Sequence, residues 1–192
     1  MPNAAFSLLP RRLRVVAALL VVVAAGVAHA DDYADVNTLL RQGKADQALA
    51  KADTYIATKP RDPQMRFLRG VILTEQGKQA EAVAVFTALT QDFPELPEPY
   101  NNLAALYAAQ SQFDKARAAL EMAIKLNPDY ATAHENLGDV YARLAAQSYA
   151  QTLKLESGNT TAPPKLALVR QMFGPPAAAS AAAGTERKPA RN

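Results

Sequence analysis

The chain has 192 residues, 49% of them hydrophobic, which is enough for one ordinary domain with a packed core. It contains no cysteine, and this excludes disulfide cross-links, a thiol nucleophile and any cysteine-based metal site. The net charge of +3 comes from three arginines before residue 15, so the rest of the chain carries 18 basic and 18 acidic side chains and no basic footprint for nucleic acid.

The first 30 residues have the organisation of a secretory signal peptide. The three arginines precede an apolar run of 13 residues at 15–27, and Ala28-His29-Ala30 supplies the small residues of a cleavage site. This run is shorter than the stretch of about 20 apolar residues that a transmembrane helix needs. We therefore expect cleavage after Ala30 and a periplasmic or secreted protein, exported by the Sec or the twin-arginine route. An uncleaved anchor is the alternative.

Three stretches of the remaining chain repeat with a period of 34 residues. Residues 47–60, 81–94 and 115–128 each have alanine in second place and end in proline, whereas residues 149–162 keep the alanine and lack the proline. In the third copy the apolar residues recur at steps of three and four, which places them on one helical face. These residues are Phe113, Ala116, Leu120, Ala123 and Ile124.

Each unit is predicted to contain two helices joined by a tight turn. Gly43 and Gly77 lie between the two helices of the first and second units, where glycine readily takes the left-handed conformation that ends a helix. Ser111 occupies the same place in the third unit and fits it less well. Asp62 followed by Pro63 is typical of a helix start, with an N-cap side chain and a proline in the first turn.

This periodic pattern resembles the tetratricopeptide repeat (TPR) family, and the third unit matches it best. The matching positions are Tyr100, Leu103, Ala104, Tyr107, Ala116, Leu120 and Pro128. The resemblance covers about residues 32–156. It implies an all-α fold, a right-handed solenoid of helix-turn-helix pairs with about 3.5–4 repeats in a domain at 31–174. The expected repeats are 32–60, 61–94, 95–128 and 129–157, followed by a capping helix at 163–174.

The fourth unit is expected to be the place where the array ends. Its second helix is predicted to follow after a minimal break near 145–147, because no glycine marks a turn there. Apolar residues at 166, 169, 172 and 173 have amphipathic spacing, which favours a helix that covers the last exposed face; a membrane-surface helix is the alternative. Residues 175–192 contain no large apolar side chain and are predicted to form a disordered tail rich in Ala and Pro.

The pattern of reactive side chains argues against an enzyme and against a cofactor. After the leader the only histidine is His134, and it stands where the TPR family has a large packing residue, so we expect a structural role for it. Clusters of histidine or cysteine at metal-ligand spacing do not occur in the sequence, and neither does a glycine-rich phosphate loop. No catalytic or metal-binding residue is therefore assigned.

The resemblance implies a surface that binds a segment of a partner protein along the first helix of each unit. The residues carried over to this surface are Phe67, Val71, Glu75, Glu98, Asn101, Asn102, Glu135, Asn136, Asp139 and Arg143. Asn102 and Asn136 are one period apart, and a pair of amides suits a peptide backbone because each can donate and accept. The acidic residues outnumber the single arginine, so we expect a neutral or basic partner segment. A self-associating structural module of the cell envelope is the alternative function.

Overall fold

The computed structural model describes residues 32–173, and within this range all regular secondary structure is helical, which confirms the all-α prediction. A first helix, α1, covers residues 32–41. The helices that follow are α2 (Ala45–Thr58), α3 (Pro63–Glu75), α4 (Gln79–Asp92), α5 (Pro97–Ala109), α6 (Phe113–Leu126), α7 (Ala131–Leu155) and α8 (Ala162–Gln171). The predicted leader at 1–30 and the predicted tail at 175–192 lie outside the described residues.

The chain divides into two compact units, each larger than one 34-residue repeat, and the first unit extends to Pro94. In its described part, α1 to α4 form successive helix pairs, in which α2 packs on α3 and α3 on α4. The core combines small and large apolar side chains, and the alanines let neighbouring helices approach closely. One cluster of this core contains Val36, Ala48, Ala52, Tyr55, Met65 and Ile72, and Leu73, Ala82, Phe86 and Leu89 are also fully buried.

Left-handed residues join the paired helices, as the sequence predicted. Gly43 has a φ of 70° and Gly77 a φ of 71°. Ser111 adopts the same conformation at a φ of 58°, although its Cβ makes that region unfavourable by about 1–2 kcal/mol. The turn geometry is therefore shared by the first three repeats, even though only two of them have a glycine there.

The start of α3 is tied to both helices before it. Asp62 accepts a hydrogen bond from the backbone N–H of Met65 at 2.8 Å, as the N-cap prediction requires. The hydroxyl groups of Tyr33 and Tyr55 also donate to this carboxylate, and the two hydroxyl oxygens lie 3.0 Å apart. Burial alone would raise the pKa of Asp62, but the hydrogen bonds from the two tyrosines and the backbone hold that pKa below its usual value.

Gly70 allows the closest approach between α3 and α4. A Cβ at this position would lie 2.6 Å from the Cζ of Phe86, whose side chain is completely buried. The ring of Phe86 therefore occupies the space that any larger residue at position 70 would need.

The second unit begins at Glu95, and its described part contains α5 to α8. Here α5 packs on α6, α6 on α7, and α7 on α8. The core again alternates alanine with larger side chains. One cluster of buried residues contains Ala104, Ala116, Leu120, Ala123, Ala133 and Val140, and Leu103, Leu106, Ala162 and Leu166 are buried as well.

The structure of the fourth repeat corrects one expectation, because the break predicted near residues 145–147 is absent. The two helices expected within 129–157 are one continuous helix of 25 residues, α7. Residues 145–147 are Ala-Ala-Gln, which favour the helix and supply no left-handed turn. Gly138 and Tyr141 keep the repeat pattern but lack the helix that would pack on them. A Cβ on Gly138 would meet nothing within 4 Å, and Tyr141 is 49% exposed.

The last helix, α8, lies where the sequence predicted a capping helix and packs against α7. Asn159 stabilises the first turn of α8, because the side-chain oxygen of Asn159 accepts a hydrogen bond from the backbone N–H of Ala162 at 2.8 Å. Leu166 of α8 is buried, whereas Leu168 and Met172 are 65% and 63% exposed. Within residues 32–173, none of the helices has both the length and the apolar character needed to cross a membrane.

Candidate functional site

The second unit contains a cavity of about 470 Å³ between α5, α6, α7 and the residues that follow α8. Its floor is made of small side chains from α5, and its walls include two aromatic rings and three polar residues of α7. The lining consists of Ala104, Ala105, Ala108, Ala109, Ser111, Phe113, Leu120, Asn136, Asp139, Val140, Arg143 and Phe173. Three residues of the predicted binding surface are thereby brought together: Asn136, Asp139 and Arg143.

A stacked pair closes one side of this cavity. The guanidinium carbon of Arg143 lies 3.7 Å from the centre of the Phe173 ring, a favourable cation–π geometry. Because α8 runs back along α7, a residue 30 positions later in the chain reaches the middle of α7. Asp139 lies one helical turn before Arg143, and these two side chains form no ion pair with each other in the described part of the chain.

A hydrogen bond between two amides links α5 to α7 beside the cavity. The side-chain nitrogen of Asn136 donates to the side-chain oxygen of Asn101 at 2.9 Å, and Asn101 is only 8% exposed. The amide of Asn102 instead donates to the backbone carbonyl of Glu98 on its own helix, at 2.9 Å. Asn102 and Asn136, the two amides predicted to suit a peptide backbone, thus each donate one hydrogen bond within the chain.

The other predicted residues of the second unit do not line the cavity. Glu98 and Glu135 are exposed. Burial raises the pKa of Tyr130, and the negative charge of Glu98 raises it further. Glu98 therefore contributes to the electrostatic environment of Tyr130, which precedes α7, rather than to the lining of the cavity.

Three predicted residues belong to the first unit, on α3. The ring of Phe67 makes an edge-to-face contact with the ring of Phe86, with centres 5.5 Å apart, so part of its surface is used for packing. Val71 is partly buried and Glu75 is exposed. They follow Phe67 at steps of four and so share one side of the helix.

His134 has a structural role, but a different one from that predicted. Its side chain is exposed rather than packed, and its Nε2 atom lies 2.9 Å from the carbonyl oxygen of Pro128. This contact joins the first turn of α7 to the loop between α6 and α7. Among residues 32–173 there is no group of three or more His, Cys, Asp or Glu side chains placed to hold a metal ion.

Sequence reasoning missed the contribution of Phe173 to the cavity. The amphipathic spacing assigned this residue to the covering face of the last helix. It lies just beyond α8, where its ring faces Arg143. No local signal could have revealed this, because the contact depends on the angle at which the loop at 156–161 returns the chain to α7.

Comparisons with known proteins agree on one family. Residues 33–97 match a family model described as a tetratricopeptide repeat, and residues 106–144 match one described as a TPR repeat. Together these ranges cover more than half of the chain.

A curated relative is the chloroplastic tetratricopeptide repeat domain-containing protein PYG7 of Arabidopsis thaliana, 37% identical over 79 residues. The match covers 38% of this chain and 26% of that protein, so the chain spans about a quarter of its relative.

Two solved structures show the same fold at low sequence identity. The TPR protein TTC0263 of Thermus thermophilus has a TM-score of 0.57 and 23% identity, covering 75% of this chain and 82% of its own. The first TPR domain of Spaghetti (RPAP3), bound to the HSP90 peptide SRMEEVD, has a TM-score of 0.55 and 21% identity. That alignment covers 58% of this chain and 88% of the Spaghetti chain.

Proposed function

Because this chain belongs to the tetratricopeptide repeat family, we propose that it is a non-catalytic scaffold that binds a segment of a partner protein. The observation that carries the proposal is the open cavity of the second unit, which combines an apolar floor with Asn136, Asp139 and Arg143. Concave sites of this kind, mostly apolar with a few polar groups, are typical of ligand recognition. The neighbour Spaghetti holds a peptide, which supports the same class of ligand for this fold.

The charge of the site favours a neutral or basic partner segment. Glu135 and Asp139 are exposed on α7, and Arg143 is stacked on Phe173. The peptide held by Spaghetti, SRMEEVD, carries three acidic side chains. A comparable peptide would meet like charges here, and opposed like charges weaken association.

The place of action that we propose is the bacterial periplasm. Support comes from the sequence of residues 1–30, with its basic start, apolar run and Ala-His-Ala site. Expression in a bacterium followed by mass analysis of the periplasmic fraction tests this proposal. A mature chain that starts at Asp31 is expected, and a full-length protein retained in the cytoplasm would contradict it.

Site-specific crosslinking tests the scaffold function directly. A photo-reactive amino acid at Ala105, which lines the cavity, should capture a partner in the cell envelope. The same amino acid at Ala118, exposed on α6 and outside the cavity, is the matched control. The captured protein should then bind the purified chain through a short segment. Equal capture from both positions, or capture from neither, would contradict the proposal.

A self-associating structural module is the second candidate, favoured by exposed apolar side chains near the end of the second unit. Leu155, Leu168 and Met172 are 80%, 65% and 63% exposed, and the last two lie four residues apart. Light scattering over a range of concentrations decides between the candidates. Self-association that is lost on replacing Leu168 and Met172 by serine would support this second function.

A further inference from the structure

We propose that the cavity of the second unit is an anchor site for one large apolar side chain of the partner segment, and that Asp139 selects a lysine or arginine beside it. This inference rests on the proposed function and specifies its ligand. It assigns separate tasks to the floor of the cavity, to the Arg143–Phe173 pair and to the Asp139 carboxylate.

The size and lining of the cavity fit an apolar anchor. Its volume of about 470 Å³ falls within the range of about 300–1,000 Å³ typical of sites for small ligands. The alanines at 104, 105, 108 and 109 line this space with small side chains, which leaves room for a ligand group. The rings of Phe113 and Phe173 supply apolar walls. A buried side chain in such a pocket is the usual energetic centre of a protein interface.

The stacked pair determines the charge that the partner meets. Asp139 and Arg143 are four residues apart, a spacing at which opposite charges on a helix can pair. The structure instead places the guanidinium of Arg143 over the ring of Phe173. Asp139 is exposed, lines the cavity and forms no ion pair within residues 32–173. An ammonium or guanidinium group next to the anchor would therefore provide its counter-charge.

The composition of residues 174–192 argues against this segment as the occupant. Residues 174–192 begin directly after Phe173 and include three basic side chains, so their charge would suit Asp139. They contain no Val, Ile, Leu, Met, Phe, Tyr or Trp. An alanine or proline cannot fill a cavity whose floor is already made of alanines. Residues 174–192 therefore do not supply the apolar anchor.

The test is a positional-scanning library of labelled heptapeptides, incubated with the purified protein and read by fluorescence anisotropy. We expect selection of Phe, Leu, Ile, Met or Trp at one position and of Lys or Arg two positions away, on the same side of an extended segment. Replacing the anchor by alanine should weaken binding by at least about tenfold. Selection of acidic residues, or no preference for a large apolar residue at any position, would overturn the inference.

Matched variants connect the selected peptide to the cavity. Ala105→Phe should fill the space and weaken binding by at least about tenfold, whereas Ala118→Phe on α6 should leave it unchanged. Asp139→Asn should remove the preference for a basic neighbour and keep the preference for the apolar anchor. Equal effects of the two Ala→Phe changes, or an unchanged basic preference in Asp139→Asn, would contradict the inference.

Four further outcomes separate the possible failures. If crosslinking from Ala105 captures a partner segment but the library selects no apolar anchor, the scaffold function stands and the anchor site is wrong. If neither experiment gives a signal, both proposals are wrong. If deletion of 175–192 raises peptide affinity, or Ala105→Phe abolishes self-association, the occupant is the tail or a second copy, and either result overturns the inference.

Discussion

Asn136 on α7 donates its side-chain amide to the side-chain oxygen of Asn101 on α5, over 2.9 Å and with Asn101 almost fully buried. The bond spans 35 residues and passes beside the candidate site. A buried amide without its partner is costly, because it loses hydration and gains no protein contact in exchange. This pair therefore fixes the position of α7 relative to α5 in the unit that carries the cavity.

We predict that Asn101→Ala lowers the free energy of unfolding by about 1–2 kcal/mol and Asn136→Ala by about 1 kcal/mol. The double variant should lose less than the sum, with a coupling of about 0.5–1.5 kcal/mol. Urea unfolding measures all of these values. Asn102→Ala is the matched control, because that amide bonds only to its own helix at Glu98, and it should change stability by less than about 0.5 kcal/mol.

A second prediction compares the two glycines at equivalent helix positions. Gly70→Ala should destabilise the protein by about 1–3 kcal/mol, because the new Cβ would meet the buried ring of Phe86. Gly138→Ala meets nothing within 4 Å and should be neutral or stabilise by up to about 1 kcal/mol through helix propensity. Thermal unfolding of both variants checks the contrast, and a similar loss in both would show that α7 has a packing partner at Gly138.

The turn at Ser111 provides a third prediction. Ser111→Gly should raise the free energy of unfolding by about 1 kcal/mol, because glycine adopts a φ of 58° without a Cβ penalty. The reciprocal change, Gly77→Ser, should lower it by about the same amount at a φ of 71°. Chemical denaturation of the two variants gives the values. If Gly77→Ser is harmless, left-handed strain is not what distinguishes these turns.

The fourth prediction concerns acid stability and the Asp62 cluster. The pKa of Asp62 is lowered from an ordinary value of 3.8, so this carboxylate stabilises the fold above that value. The contribution is lost as pH falls through the lower pKa of the folded state. Asp62→Asn should therefore be less stable than the wild type at pH 7, and the difference should shrink in strong acid.

Urea unfolding at pH 7 and in strong acid measures this difference. Tyr33→Phe removes one donor to the carboxylate and should give a smaller effect of the same sign. A difference between wild type and Asp62→Asn that is the same at both pH values would contradict the assignment.

Much of the fold follows from local signals in the sequence. Gly43, Gly77 and Ser111 recur at a spacing of 34 residues, which predicts equivalent turns. All three have the left-handed conformation, although only two of them are glycine. Asp62 with Pro63 predicted the start of α3, where the side chain caps the Met65 amide. These features depend on residues close together in the chain, so the sequence pattern was sufficient.

The structure of the fourth repeat and the lining of the cavity depend on contacts between residues far apart in the sequence, which the repeat pattern does not contain. Gly138 and Tyr141 retain the family spacing, yet they lack the packing partner that the spacing implied. Left-handed residues and prolines commonly end a helix, and neither occurs at 145–147. Likewise, the adjacent residues Asn101 and Asn102 differ by about 100° around the helix, and only packing decides which of them faces Asn136.

The continuity of α7 also fixes the spacing between two side chains of the candidate site. Asp139 and Arg143 lie within one unbroken helix of 25 residues, so four residues separate them along the axis by about 6 Å. An extended peptide advances by nearly the same distance, about 6.6 Å, over two residues. A segment lying parallel to α7 would thus present alternate side chains to these two groups. Inserting or deleting one residue of that segment would shift the alternation and exchange the side chains that face the helix.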